Sequence, residues 1–110
     1  MKIPNADQVI IPAAKIRLYL LSDTHPSGKN KAAFFKRFGF SKDAWEELAA
    51  ALRRHAMEHE VTRTEIVSDG VKYVIEGRLI SPDGRNPNVR SIWKSFYSEA
   101  FARLVSAYPA

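Results

Sequence analysis

Several short stretches of the chain carry side chains suited to holding or cleaving a phosphodiester. The first is His25-Pro26-Ser27-Gly28-Lys29-Asn30-Lys31. It sets one imidazole, a turn-forming pair and two ammonium groups within seven residues. An imidazole titrates near neutral pH and can move a proton, while ammonium groups neutralise phosphoryl oxygens. No carboxylate lies between Asp23 and Asp43, whereas Lys29, Lys31, Lys36 and Arg37 all fall in that interval. The same residues also fit a helix-connecting loop with solvated lysines and a histidine hydrogen-bonded to a helix end. The sequence leaves both readings open.

A second group lies in the other half. Arg85, Arg90, Lys94 and Arg103 are spread over a region rich in β-formers. On strands, alternation would send Arg90, and Arg103 if its segment is extended, to one sheet face or the other. An open face bearing arginine, a hydroxyl and a tyrosine would make a floor for a phosphodiester; a solvated outer face accounts for the same residues. Near the end, Ser106-Ala107-Tyr108-Pro109 places a hydroxyl and a phenol two residues apart, on the same side if extended. Together they could orient a nucleotide, or a base could stack on the ring. A closing strand with a partly buried tyrosine is the plainer alternative.

Other chemistries find little support. His55 and His59 stand one helical turn apart, which is metal-ligand spacing, but no third ligand accompanies them and the zincin order is absent. They read as two histidines on a helix flank. There is no glycine-rich phosphate loop, no Ser-His-Asp spacing and no acidic cluster suited to magnesium. No metal and no cofactor are expected.

These residues need a scaffold. Residues 1–11 suggest an irregular or short extended arm with Ile3, Val9, Ile10 and Ile11 packed on the core. Pro12 suits a first helical position, and Ile16, Leu18, Tyr19, Leu20 and Leu21 predict a short helix over about 13–21. Thr24-His25-Pro26 is expected to end it, because the residue before proline avoids helical angles. Ala32, Phe34, Phe35 and Phe38 predict a second helix over 29–38, closed by Gly39. Ser41 reads as the N-cap of a third helix over 42–59, with Trp45, Leu48, Ala49, Leu52 and Ala56 as its buried stripe.

The pattern then changes to strands. Residues 61–67 and 71–77 flank the turn Ser68-Asp69-Gly70. Ser81-Pro82-Asp83-Gly84 is a second turn, and a third strand covers about 89–94. Residues 102–108 fit either a helix or a closing strand, and Pro109 stops both. Helices first and a meander after them predict an α+β fold, with N-terminal helices on one face of a roughly four-stranded antiparallel sheet. The division is a helical part over 12–59 and a sheet over 61–108, in one domain of 110 residues.

Seventeen lysines and arginines against twelve acids give a net charge of +5, which suits a polyanionic partner and equally an ordinary solubility charge. Ten basic residues face seven acids in residues 1–60, and seven face five in 61–110, so the excess is no basic tail. The chain has no cysteine, which fits a reducing cytosol and rules out disulfides and thiolate metal sites. No apolar run reaches membrane-spanning length and the first residues lack a signal-peptide core, so a cytoplasmic location without membrane contact is expected.

Ordered along the chain, Tyr19-Leu20-Leu21, His25-Pro26, Gly28-Lys29, Phe34-Phe35 and Phe38-Gly39-Phe40 are followed by Gly70-Val71-Lys72-Tyr73, Pro82-Asp83-Gly84-Arg85, Val89-Arg90-Ser91-Ile92-Trp93 and Leu104-Val105-Ser106-Ala107-Tyr108-Pro109. This pattern resembles a bacterial family of uncharacterised small domains found alone or at the C-terminus of phage-head-like and polymorphic-toxin-like chains. More distantly, it is similar to the toxin ribonuclease superfamily of barnase-like, RelE-like and EndoU-like nucleases.

The resemblance implies a metal-independent endoribonuclease, in which a ribose 2′-hydroxyl attacks the adjacent phosphate. His25 would match the histidine after the first helix, and Lys29 or Lys31 the phosphate-stabilising cation. Ser106 and Tyr108 would match a hydroxyl-x-Tyr pair, though many relatives have threonine at the first position. Arg90 would be a further phosphate contact, with Arg85 and Arg103 as additional RNA-binding candidates. No second histidine falls at a matching place. The partners implied are RNA and a small acidic antitoxin or immunity protein. A non-catalytic nucleic-acid- or protein-binding module is the alternative.

Overall fold

In the computed structural model, which describes residues 1–110, Pro12 leads into a first helix, α1. It is regular over Ala13–Lys15 and continues as a π-helix over Ile16–Leu20. The widened turn is closed by the Leu21 N–H donating to the Ile16 carbonyl, five residues back, at 2.9 Å. Ile16, Leu20 and Leu21 are fully buried, while Lys15 and Tyr19 stay on the flank. α1 ends at Leu20, within a residue of the limit the sequence suggests. Ser22 Oγ takes the N–H groups of Thr24 and His25, at 3.3 and 3.1 Å, and this local competition opens the loop before Pro26 is reached.

α2 covers Lys29–Arg37 and buries Ala32 and Phe35. Gly39, at φ 100°, turns the chain out of it. α3 covers Trp45–Glu58, starting later than Ser41 implies. Ser41 Oγ instead accepts the Ala44 N–H at 3.2 Å, so it secures the turn ahead of the helix. Leu48, Leu52, His55 and Ala56 form the buried face of α3.

The strands are β1 (Val61–Val67), β2 (Gly70–Arg78), β3 (Asn88–Phe96) and β4 (Arg103–Pro109). They pair antiparallel in the order β1-β2-β3-β4. The fold is α+β, with three helices preceding a four-stranded sheet. The final segment, which fitted helix or strand by propensity, is a strand because β3 offers it a full ladder from Val89↔Pro109 to Lys94↔Arg103. A bulge leaves Val105 as an extra residue in that ladder. It lets Leu104 and Ala107, three apart, both reach the core while Ser106 pairs with Ile92.

One sheet face, carrying Tyr73, Ile75, Val89, Trp93, Leu104 and Ala107, packs against the helices in a single buried cluster. A polar relay runs through it. The Trp93 Nε1–H donates to Ser91 Oγ (2.8 Å), the Ser91 hydroxyl donates to His55 Nδ1 (2.9 Å), and His55 Nε2–H donates to the Gly77 carbonyl (3.0 Å). The chain of donors fixes His55 as the neutral Nε2–H tautomer. Burial accordingly holds its pKa below the ordinary imidazole range. His59 bonds the Arg78 carbonyl, so both histidines face backbone and each other.

The N-terminal arm packs as the apolar residues suggest, with Ile3 and Val9 buried around a 3-10 turn at Ala6–Gln8. Ile10 then bridges to β4: its N–H donates to the Ala102 carbonyl, and its carbonyl accepts the Leu104 N–H. No helix is long and apolar enough to cross a membrane.

Candidate functional site

Where α1 meets β4, two hydroxyls touch. Tyr19 Oη and Ser106 Oγ are 3.2 Å apart. The π-turn supplies Tyr19 and the β4 ladder supplies Ser106, so the contact ties the last turn of α1 to the outer strand. The His25 ring packs edge-on against Tyr19, centroids 4.9 Å apart. Lys15 and Lys31 hold their ammonium groups 5.1 and 5.3 Å from the Tyr19 ring. Lys31 is also 6.0 Å from the Tyr108 ring, and the Arg90 guanidinium lies 5.7 Å from that same ring. His25, Lys31 and Ser106 thus meet at Tyr19, Lys31 links them to Tyr108, and Arg90 lies on from Tyr108.

The loop is built tightly for this. His25 Nδ1 accepts the backbone N–H groups of Ser27 and Gly28, each at 3.0 Å. The arrangement is that of a side-chain cap on the turn that starts α2, and it leaves Nε2 as the proton-bearing nitrogen of the neutral ring. Gly28 is needed because a Cβ there would sit 2.1 Å from the Tyr19 carbonyl oxygen. Lys31 Nζ donates to the Ser27 carbonyl at 3.1 Å, which steers its side chain back over the loop.

Three hollows are lined by these residues, and Tyr108 is common to two of them. One of about 570 Å³ is lined by Lys15, Leu18, Tyr19, His25 and Ser106 among others. One of about 420 Å³ lies between Asn30, Lys31, Tyr108 and Pro109. One of about 300 Å³ lies on the open sheet face among Arg63, Glu76, Arg90 and Tyr108. Their linings hold Lys15, Lys31, Arg63 and Arg90 against the single carboxylate of Glu76. Glu76 pairs with Arg90 at 2.7 Å. Desolvation acts to raise the pKa of the Tyr19 phenol, but the Ser106 hydrogen bond and the Lys31 and Lys15 charges outweigh it, and the phenol lies below its ordinary value.

Other residues suggested by the sequence stand apart. Lys29 is exposed at the first position of α2, close in sequence to the cluster but free of its contacts. Arg85 pairs with Asp83 and donates to the Arg37 carbonyl at the far end of α2, about 13 Å along the helix from its start. Its guanidinium lies over Phe38. Arg103 is held by both carboxylate oxygens of Glu99 at the beginning of β4, about 16 Å of strand from Tyr108. Lys94 pairs with Asp69. The basic run of the loop is also partly compensated, since Asp23 returns to pair with Lys36 at 2.6 Å. Tyr19 and Lys15 are the central residues that side-chain chemistry alone did not single out. Tyr19 stood in the sequence only as part of Tyr19-Leu20-Leu21, where it reads as core.

The model of a family described as a domain of unknown function, DUF6883, matches residues 2–110. The chain belongs to DUF6883. No curated protein sequence matches this DUF6883 chain. Among solved structures, it is similar to a chain of the "Contact-dependent growth inhibition toxin - immunity protein complex from Klebsiella pneumoniae 342". The TM-score is 0.74 at 16% identity, over 92% of this chain and 99% of that one. The likeness is one of fold.

Proposed function

We propose that this DUF6883 domain is a metal-independent endoribonuclease of the toxin type, kept in check by an immunity or antitoxin protein. The observation that carries the reading is the packing of Ser106, His25 and Lys31 around Tyr19, with Tyr108 linked to them through Lys31 and Arg90 beside Tyr108. The fold shared with a chain of a toxin–immunity complex supports the toxin setting and the class of partner.

In this reading RNA lies across the β4 edge. Tyr108 stacks on a base and Arg90 meets a neighbouring phosphate. The scissile phosphate sits over Lys31 and Lys15, where two ammonium charges offset the charge that builds on its oxygens. His25 turns Nε2–H toward a non-bridging oxygen, because its Nδ1 is occupied by backbone donors. In its deprotonated form, favoured by the Ser106 hydrogen bond and the neighbouring Lys31, Tyr19 takes the proton of the ribose 2′-hydroxyl. That oxygen bonds to phosphorus and the bond to the 5′-oxygen breaks. The Lys31 ammonium protonates the departing 5′-oxygen, and the Tyr19 phenol returns its proton to the Lys31 amine. The products are a 2′,3′-cyclic phosphate and a 5′-hydroxyl. DNA lacks the nucleophile and stays intact.

The test is incubation of RNA and matched DNA with the purified chain in excess chelator. Cleavage of RNA to cyclic-phosphate ends, lost in His25→Ala and Tyr19→Phe, supports the reading. Intact RNA at high protein concentration removes it. One observation favours a second reading, a non-catalytic nucleic-acid-binding module: the capping bonds of His25 Nδ1 occupy the lone pair a general base would use. That module binds RNA and DNA alike in a salt-dependent way and cleaves neither.

A further inference from the structure

The two edges of the sheet differ. β4 is covered by Ile10 and by the Tyr19–Ser106 contact. β1 is engaged only at its start, where the Val61 N–H donates to the Met1 carbonyl at 2.7 Å and the ladder bulges at Thr62; Arg63, Thr64, Glu65 and Ile66 beyond are all exposed. Ile66 is 78% exposed, the most of any large apolar side chain in the molecule. An uncovered strand edge is a template for pairing unless charge or distortion blocks it.

The register says which backbone groups point outward. Val67↔Gly70 closes a two-residue hairpin, so the ladder bonds of β1 to β2 recur at Val67, Glu65 and Arg63. Thr64 and Ile66 therefore turn their N–H and C=O groups to the free edge. A twofold axis through an antiparallel pairing of two β1 strands can then sit on Thr64, with the two Thr64 residues exchanging both bonds. This register sets Arg63 directly opposite Glu65 of the second copy, twice. A centre on Arg63 or Glu65 would instead oppose like charges. Within one chain neither Arg63 nor Glu65 is in an ion pair. The β1 sequence is thus complementary to itself in charge in the register centred on Thr64.

We propose that β1 is a homodimer interface, with two copies joined edge to edge about Thr64 into an eight-stranded antiparallel sheet. The twofold keeps both open faces on one side and places the two Tyr19–Ser106 grooves at opposite outer edges. The interface does not depend on the catalytic reading above.

Sedimentation equilibrium across a wide concentration range tests it. The wild-type chain is expected to pass from monomer to dimer as concentration rises. Glu65→Arg opposes like charges twice and should weaken the dimer by about tenfold. Combining it with Arg63→Glu restores the complement and should recover wild-type association. Thr64→Pro removes an outward-facing donor, which an edge strand tolerates, and should leave a folded monomer by circular dichroism. A monomer at every concentration overturns the interface, as does a dimer unaffected by these substitutions. A β1 edge that is protected only in complex with a different protein overturns it equally.

Discussion

Tyr19 Oη and Ser106 Oγ lie 3.2 Å apart although 87 residues separate them. The bond joins a π-helical turn to an edge strand, and His25, Lys15 and Lys31 pack around the same Tyr19 ring. Its loss should therefore be felt more in activity than in stability. Tyr19→Phe and Ser106→Ala each remove one partly buried hydrogen bond, worth about 1 kcal/mol. Denaturant melts should show that small change. RNA cleavage should fall by about 100-fold or more in Tyr19→Phe, the scale of a lost proton-transfer group.

Gly28 tests how closely the loop is built on α1. A Cβ at this position meets the Tyr19 carbonyl oxygen at 2.1 Å, a backbone atom with no freedom to swing aside. Gly28→Ala is expected to cost about 1–3 kcal/mol and to displace His25 from its contact with Tyr19. Thermal melting reads the first effect. The histidine and tyrosine side-chain resonances read the second.

The basic residues divide into two groups. Lys31 faces the groove, whereas Arg85 and Arg103 are engaged by Asp83 and Glu99 elsewhere on the molecule. Lys31→Ala should weaken RNA binding and reduce the slope of log affinity against log salt by about 0.7. Arg85→Ala and Arg103→Ala should leave that slope unchanged. Binding titrations at several salt concentrations separate the two outcomes.

His55 should make stability depend on pH. Burial lowers its pKa in the folded chain, so on acidification the unfolded chain takes up a proton that the native one refuses. Stability is expected to be full above the ordinary value of 6.5 and to decline as pH falls below it. The melting temperature of wild type should drop between pH 7.5 and 5.5 by more than that of His55→Gln. Carboxylates held low by ion pairs, such as Asp69 with Lys94, lose their contribution only at more acid pH, as they protonate.

The sequence alone determined the order and type of nearly every element. Apolar spacing in 45–58 and alternation around the Asp69-Gly70 turn are local signals, written in side chains that contact near neighbours. It also marked His25, Lys31, Arg90, Ser106 and Tyr108 as suited to phosphate chemistry. Three things waited for the tertiary structure. Residues 103–109 became a strand because β3 supplied its hydrogen bonds, an influence local propensity does not contain. His25 acquired its capping bonds, and with them a defined tautomer, from the backbone path of its own loop. Tyr19 passed from apparent core residue to centre of the candidate site, because it bonds Ser106 on a strand that the chain reaches only 87 residues later. Spacing reports which residue types are present and how they repeat. Only the closing of the sheet against the helices decides which of them share a groove.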